Sequence, residues 1–319
     1  MYLIFITPLI AVIFKSSIIA HDVMFLQDID KITNGVRDYI DNKVLPYEIA
    51  HKASTEVIAA RYVVLNENAG LLRPLLVAAV ARDFGVSKLE DVFAVASAVE
   101  LVHAASLISD DIADNSHERR GRPSCHVTFG KRMANLTEHY LVNRAYELLL
   151  KDRFSPNLSD EQRVKITGLA AESGIEMVRG QAKDIMQTGL REPKDVIRMY
   201  EQKSGALIGL ALASGGIIGS ASESDVVYLR QLGRCIGVSY QIGDDAFDKR
   251  APSETGKPSN QDLKKQTLVK MVGLEGVIKI KEEKDALVDE IMSKIHGDTS
   301  SLKELVMQFR RERDKYLAV

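Results

Sequence analysis

Two short runs of aspartate carry the most legible chemistry in this 319-residue chain. Ser109-Asp110-Asp111-Ile112-Ala113-Asp114 closes one strongly apolar stretch, and Tyr240-Gln241-Ile242-Gly243-Asp244-Asp245-Ala246-Phe247-Asp248 closes another. Each run places acids at i, i+1 and i+4. On a helix, Asp110 and Asp114 leave from one face, where like charges repel. Aspartate is also a poor helix former, so something must compensate. Mg²⁺ is the natural candidate, because it takes hard oxygen ligands and is commonly held by one or two carboxylates together with substrate phosphates. One such run alone reads equally well as a solvated acidic helix end. Two at matching helix ends can face each other across the mouth of a bundle cavity. Three divalent ions between them would hold a diphosphate and neutralise it as it leaves.

Positive charge lies close to both runs. Arg119-Arg120 follows the first in His117-Glu118-Arg119-Arg120-Gly121-Arg122-Pro123, and guanidinium forks suit phosphate oxygens. Lys203 stands in Gln202-Lys203-Ser204-Gly205, and Lys257 in Gly256-Lys257-Pro258 just after the second run. Any one of these alone is an ordinary solvated charge. Their places around two acidic helix ends make them candidates for phosphate contacts.

The elements that must position these groups are helical. Val92, Val95, Ala96, Val99, Leu101, Val102, Ala105 and Leu107 read as one long helix with a broad apolar face. Others run from about Glu161 to Met186, with Ile166, Leu169, Ala170, Ile175 and Val178 as apolar positions, from about Lys194 to Ile218, and from about Asp225 to Phe247. No convincing strand alternation appears. Breakers fall where helices should stop: Arg73-Pro74, Phe84-Gly85, Gly121-Arg122-Pro123, Pro252 and Gly256-Lys257-Pro258. Gly215-Gly216 suggests a kink or a close helix contact. The expected fold is all-α, one domain of about ten helices around a central cavity, spanning residues 25–319.

Composition bounds the rest. Apolar residues make up 45% of the chain, enough to bury a sizeable core. A net charge of −2 offers no basic field, so a nucleic-acid partner is not expected. Cys125 and Cys235 are the only cysteines and lie far apart. They read as free thiols in a reducing, cytoplasmic setting. Residues 1–24 stand apart. Met1 to Phe14 is almost wholly apolar, lacks a positive n-region and contains Pro8. Three readings stay open: a signal or anchor, a membrane-surface or packing helix, and a non-native extension ahead of a start at Met24.

The order of these motifs resembles the trans (head-to-tail) isoprenyl diphosphate synthases, the polyprenyl synthetase family, from about Phe25 to the C-terminus. The carriers are Leu107 to Asp114 with Arg119 to His126, Gly180-Gln181-Ala182-Lys183-Asp184, Lys203-Ser204-Gly205-Ala206-Leu207, and Gln241 to Asp248 with Gly256-Lys257 and Asp262-Leu263 behind it. The resemblance implies Mg²⁺ ligation led by Asp110, Asp114 and Asp244, supported by Asp111, Asp245 and Asp248. It implies that Arg119, Lys203 and Lys257 hold an allylic prenyl diphosphate. Gln181, Gln241 and the backbone near Lys203-Ser204 would steady the allylic cation that isopentenyl diphosphate attacks. It further implies a homodimer. Small Ala105 and Ser106, just upstream of the first run, imply a deep pocket and a product of about C20 or more.

The sequence departs from the family at the second substrate. Members carry Gly-Gly-Lys-Arg-x-Arg-Pro, whose Lys and first Arg bind isopentenyl diphosphate. Here the stretch is Asn68-Ala69-Gly70-Leu71-Leu72-Arg73-Pro74, with Gly70 and Leu71 at those places. Arg73, His103 and Arg120 are what remains of that site. Losing two charge-assisted contacts costs roughly 1.5–3 kcal/mol each. Glu138-His139 stands where Gly-Asp is usual. A shortened Asp262-Leu263-Lys264-Lys265-Gln266-Thr267 leaves Lys264 or Lys265 to replace a missing lysine. Three functions are compatible with this pattern: a prenyltransferase with an altered isopentenyl site, a terpene synthase that ionises one prenyl diphosphate, and a non-catalytic subunit of a heteromeric synthase.

Overall fold

The structure, a computed structural model, describes residues 28–46, 55–248 and 265–317. The apolar segment 1–24, with the membrane contact considered for it, lies outside the described residues, as do Lys257 and Lys264. Helix α1 (Ile29–Tyr39) runs on through a π-helical turn, Ile40–Val44. Then come α2 (Thr55–Val64), α3 (Leu72–Asp83), α4 (Phe93–Ala113), α5 (Cys125–Phe129), α6 (Lys131–Leu150) and α7 (Asp160–Met186). Helix α8 (Pro193–Tyr200) passes through a second π-helical turn, Glu201–Gly205, into α9 (Ala206–Ile218). Helices α10 (Glu223–Asp248), α11 (Leu268–Lys294) and α12 (Ser300–Leu317) complete the chain. Among the described residues the only strands are β1 (Glu118–Arg119) and β2 (Arg122–Pro123), an antiparallel pair after the first aspartate run. The all-α bundle expected from the periodicity is therefore observed, and its packing is consistent with a central cavity.

Local signals explain the boundaries. Ser159 caps α7: its hydroxyl accepts from the Gln162 backbone N–H, and the Gln162 side chain accepts from the Ser159 N–H. That reciprocal pair satisfies two otherwise orphaned donors. Pro193 opens α8, where its missing N–H costs nothing. Helix α4 is the most apolar of the long helices near the site. Ala94 through Leu101, together with Ala104, Ala105 and Ile108, is buried. Among the described residues, Leu89–Ala113 is the one helical span long and apolar enough to cross a membrane, and 67% of its most apolar 18-residue window is buried inside the protein. It is a core helix, far in sequence from segment 1–24. Cys125 and Cys235 are free and buried.

Glycine decides how closely the site-bearing helices approach. A Cβ on Gly233 would overlap the backbone of Gly209, and one on Gly237 would overlap Gly205. The two i, i+4 pairs let α9 and α10 touch backbone to backbone. The Gly215-Gly216 pair is likewise a contact: a Cβ on Gly215 would come within 2.5 Å of the Val77 carbonyl oxygen on α3.

Not every apolar position of α7 faces the core: Ile175 and Val178 are exposed, at 54% and 66%, while Ile166 and Ala170 are buried. The apolar stripe is wider than the core it serves.

Gly237→Ala should lower stability by about 1–3 kcal/mol through overpacking, read as a shift in the denaturant midpoint. An unchanged midpoint would mean that α9 and α10 do not meet at this depth.

Candidate active site

The first aspartate run ends α4, and Asp114 is its C-cap, its N–H bonded to the Asp110 carbonyl at 2.9 Å. The second run ends α10. Lys203 and Ser204 sit in the π-helical turn between α8 and α9. Such turns displace side chains from regular helical register and recur at functional sites. Gly180 of α7 allows this turn in: a Cβ there would overlap the Lys203 backbone. One contact thereby sets Gln181 and Asp184 beside Lys203, and Lys203 Nζ lies 2.6 Å from Asp184 Oδ2.

The six carboxylates expected as one metal set are not gathered. Among the described residues, no three His, Cys, Asp or Glu side chains converge as a metal-binding group. Asp111 is buried and accepts from Arg119 Nε at 2.9 Å. Asp245 is buried and accepts from the Tyr200 hydroxyl. Asp114 pairs with Lys265 at 3.0 Å, and Lys265 also reaches Asp184 at 3.4 Å. Asp110 is half-buried, Asp244 is exposed, and the Asp248 side chain lies outside the described residues. The physical reason is repulsion. Crowded carboxylates spread apart and take donors from their own chain unless a cation draws them together.

The donor chemistry nonetheless fits Mg²⁺. Burial pushes the Asp110 carboxyl up, Lys203 and Arg119 oppose that, and the neighbouring charges of Asp114 and Asp184 add to it. Carboxylates that feel one another's charge, Asp110 with Asp114 and Asp184, are the hard oxygen donors this ion takes. For Asp184, burial again pushes upward, but Lys203 and Lys265 outweigh it and hold the carboxyl below the usual range.

The remaining predicted groups separate into two environments. Gln241 accepts from the Ser204 hydroxyl at 3.1 Å, joining α10 to the π-helical turn. The Gln181 side chain has both its nitrogen and its oxygen buried with no hydrogen-bond partner. These amides are available to a ligand beside Lys203. Nearer the middle of α4, Arg73 and Arg120 are both buried, and Arg73 Nε and Arg120 Nη1 meet no partner. His103 lies between them in charge terms. Burial first, then Arg73, Arg120 and Arg119, pull its pKa well below the ordinary histidine value, so the ring is neutral at pH 7. Leu71, at the family's arginine place, is buried with left-handed backbone, φ 49°.

Three contributors escaped the list of candidates drawn from the sequence. Asp184 was visible within Gly180–Asp184, one helical turn from Gln181, and needed only the Lys203 contact to be recognised. Tyr200 gave no local signal, because its partner Asp245 is distant in sequence and only packing joins them. Glu100 looked like a polar interruption of an apolar helix, yet it is 1% exposed.

With the geometry described, comparison with known proteins identifies relatives. Residues 57–309 match the polyprenyl synthetase family. The chain is 36% identical over 249 residues to farnesyl diphosphate synthase of Escherichia coli, covering 73% of this chain and 82% of that protein. It is 34% identical over 230 residues to a short chain isoprenyl diphosphate synthase of Methanothermobacter thermautotrophicus, 69% of this chain and 66% of that protein, just under two thirds of its length. In fold it is similar to a geranyltransferase of Helicobacter pylori, solved with magnesium and isoprenyl diphosphate. The TM-score there is 0.78 at 22% identity, covering 93% of this chain and 99% of that one.

Tyr200→Phe removes a buried donor from Asp245 and should cost about 1–3 kcal/mol, measured by denaturant unfolding. Wild-type stability in this variant would rule out the hydroxyl as a support of the second cluster.

Proposed function

The chain belongs to the polyprenyl synthetase family, and on that premise we propose that residues 25–319 form one helical domain joining an allylic prenyl diphosphate to isopentenyl diphosphate. The observation that carries this choice is the pair Arg73 and Arg120. Each is buried with an N–H that meets no partner, beside a neutral His103. Buried cationic donors without acceptors are costly, and an anion supplies the acceptors. Condensation needs a second anion site. An enzyme that ionises a single prenyl diphosphate does not.

The allylic diphosphate would lie between the aspartate-bearing helix ends. Asp110, Asp114 and Asp244 would hold Mg²⁺, with Asp111, Asp245 and Asp248 behind them. When bound, Mg²⁺ neutralises charge on the departing diphosphate. Arg119, Lys203 and Lys257, with Lys265 as a further cation, would contact its oxygens. The allylic C–O bond breaks and its electron pair leaves with diphosphate. Gln181, Gln241 and the backbone beside Ser204 turn dipoles toward the carbon cation. The alkene of isopentenyl diphosphate then forms the new C–C bond, and loss of a proton to the released diphosphate restores a double bond. Ala105 is buried and Ser106 turns its hydroxyl back to the His103 carbonyl, so neither adds bulk below the cluster. That supports a product of about C20 or more.

A terpene synthase or lyase is the second reading, and Leu71 favours it. A buried leucine there gives the second substrate no charge. A product assay separates the two. Purified protein with Mg²⁺ and geranyl, farnesyl or geranylgeranyl diphosphate is run with and without isopentenyl diphosphate. Longer diphosphates only in its presence are the expected result, and hydrocarbons or alcohols in its absence would overturn it. Asp110→Ala or Asp244→Ala should reduce diphosphate release on the order of 10²–10³-fold.

The exposed side of α7 supports a homodimer. Val164, Gly168, Ala171, Ile175, Val178, Ala182 and Ile185 follow the four-three spacing of a helix–helix seam. Val164, Ile175, Val178 and Ile185 are each at least half exposed. Such a stripe is costly in water and self-complementary about a two-fold axis. Ile175→Lys should yield monomer by light scattering where wild type is dimer. A wild-type monomer at micromolar concentration would count against the seam.

A further inference from the structure

Glu100 takes no part in the chemistry described so far, yet it is among the most enclosed charges in the described chain. It sits on α4 one turn before His103 and is 1% exposed. Its Oε1 has no hydrogen-bond partner, and Arg120 Nη2 stands 3.9 Å away, an ion pair without a hydrogen bond. Burial pushes the carboxyl up, and Arg120, Arg73 and Arg37 oppose that in turn. One carboxylate, paired at a distance with Arg120, therefore lies in the field of three guanidinium groups. Buried charges persist only when paired, so this cluster is left with an excess of positive charge.

Arg37 carries the cluster outward. Its Nη1 donates to the Asn66 carbonyl at 2.9 Å, and its Nη2 to the carbonyls of Glu67 at 3.2 Å and Ala69 at 2.6 Å. The same loop returns to Arg120. Asn68 Nδ2 donates to the Arg120 carbonyl at 3.1 Å, and the Asn68 N–H donates to Asn66 Oδ1 at 2.9 Å. The loop ends at Leu71 and the returning strand at Arg120, both with left-handed backbone. Two unfavourable conformations of this kind persist only where surrounding structure over-determines them.

We propose that Glu100 is a positioning residue for the second diphosphate site. Its charge acts on Arg73, Arg120 and Arg37 but takes a hydrogen bond from none of them. The Arg73 and Arg120 donors stay free for an anion, while Arg37 ties the 66–69 loop to the same cluster. The inference rests on the Arg73–Arg120 pocket being a diphosphate site, as argued above.

Two effects of losing the carboxylate compete. Glu100→Gln makes the pocket more positive, which tightens any anion bound by charge alone. It also releases the arginines from their orientation, which loosens an anion bound by directed N–H groups. Positioning predicts that orientation wins.

The test is calorimetric titration of the full chain with inorganic pyrophosphate in EDTA, so that no metal contributes. Wild type should bind, and Arg73→Met should lose that binding. Glu100→Gln should weaken it about tenfold, the worth of one misplaced charge-assisted contact. In steady-state assays the same variant should raise KM for isopentenyl diphosphate and leave KM for the allylic substrate unchanged. Arg37→Met, which never reaches the anion, should shift pyrophosphate affinity in the same direction. It carries the test if Glu100→Gln does not fold. Equal or tighter binding by these variants would overturn the proposal and leave Glu100 a plain counter-charge. So would a wild type without pyrophosphate affinity, or Arg73→Met with affinity intact. A wild type that binds pyrophosphate but makes no longer product from isopentenyl diphosphate would refute condensation and leave the role of Glu100 standing.

Discussion

The backbone contact between α9 and α10 is the constraint on which the site depends. Gly205 and Gly209 meet Gly237 and Gly233 with no room for a Cβ. That seam fixes the axial register between the π-helical turn carrying Lys203 and Ser204 and the helix end carrying Gln241 to Asp248. The Ser204–Gln241 hydrogen bond follows directly from it. Gly180 extends the same device to α7, whose Gln181 and Asp184 then face Lys203. Three helices are thus locked by absent side chains, and polar groups borne beside the contacts are placed with little freedom. A site assembled on rigid helices can hold donors and acceptors where a diphosphate needs them.

Charge is the second organising term. The two aspartate runs concentrate carboxylates that the chain answers in different ways. Asp111 and Asp245 are turned inward to Arg119 and Tyr200, and Asp114 is met by Lys265. The inward pair behaves as structure, anchoring Arg119 beside the end of α4 and α10 against α8. Asp110 is half-buried and Asp244 is exposed. The division follows burial: a buried carboxylate must have a partner within the protein.

Much of the fold was legible because apolar periodicity marks long helices well. The expected spans 161–186 and 225–247 fall within a residue or two of α7 and α10. The continuous span expected over 194–218 is interrupted only by a π-helical turn, which no composition signal marks. Periodicity cannot say which side of a wide stripe meets the core: of the apolar positions on α7, Ile166 and Ala170 are buried while Ile175 and Val178 are exposed. The aspartate runs and Lys203 were readable from residue type and spacing, whereas Gln181 and Gln241 were singled out only through the family resemblance. Tyr200 and Glu100 were reached by neither route, since their roles exist only through partners that folding supplies.

The loop 66–71 keeps a firm frame without cationic side chains at its end. Glycine and leucine replace the lysine and arginine expected at positions 70 and 71, yet the loop is not relaxed. Arg37 clamps three of its carbonyls, Asn68 ties it to Arg120, and Leu71 holds a left-handed conformation that its side chain does not favour. The left-handed conformation at Leu71 costs stability and persists only because the surrounding contacts, the half-buried Arg37 clamp among them, hold it. Arg73 and Arg120 behind it still present unmatched donors. These cations near the loop therefore lie behind it, Arg73 on α3 and Arg120 in the turn between β1 and β2. An anion held there would be gripped from the buried side, with affinity set by the orientation of two arginines rather than by the number of cations around it.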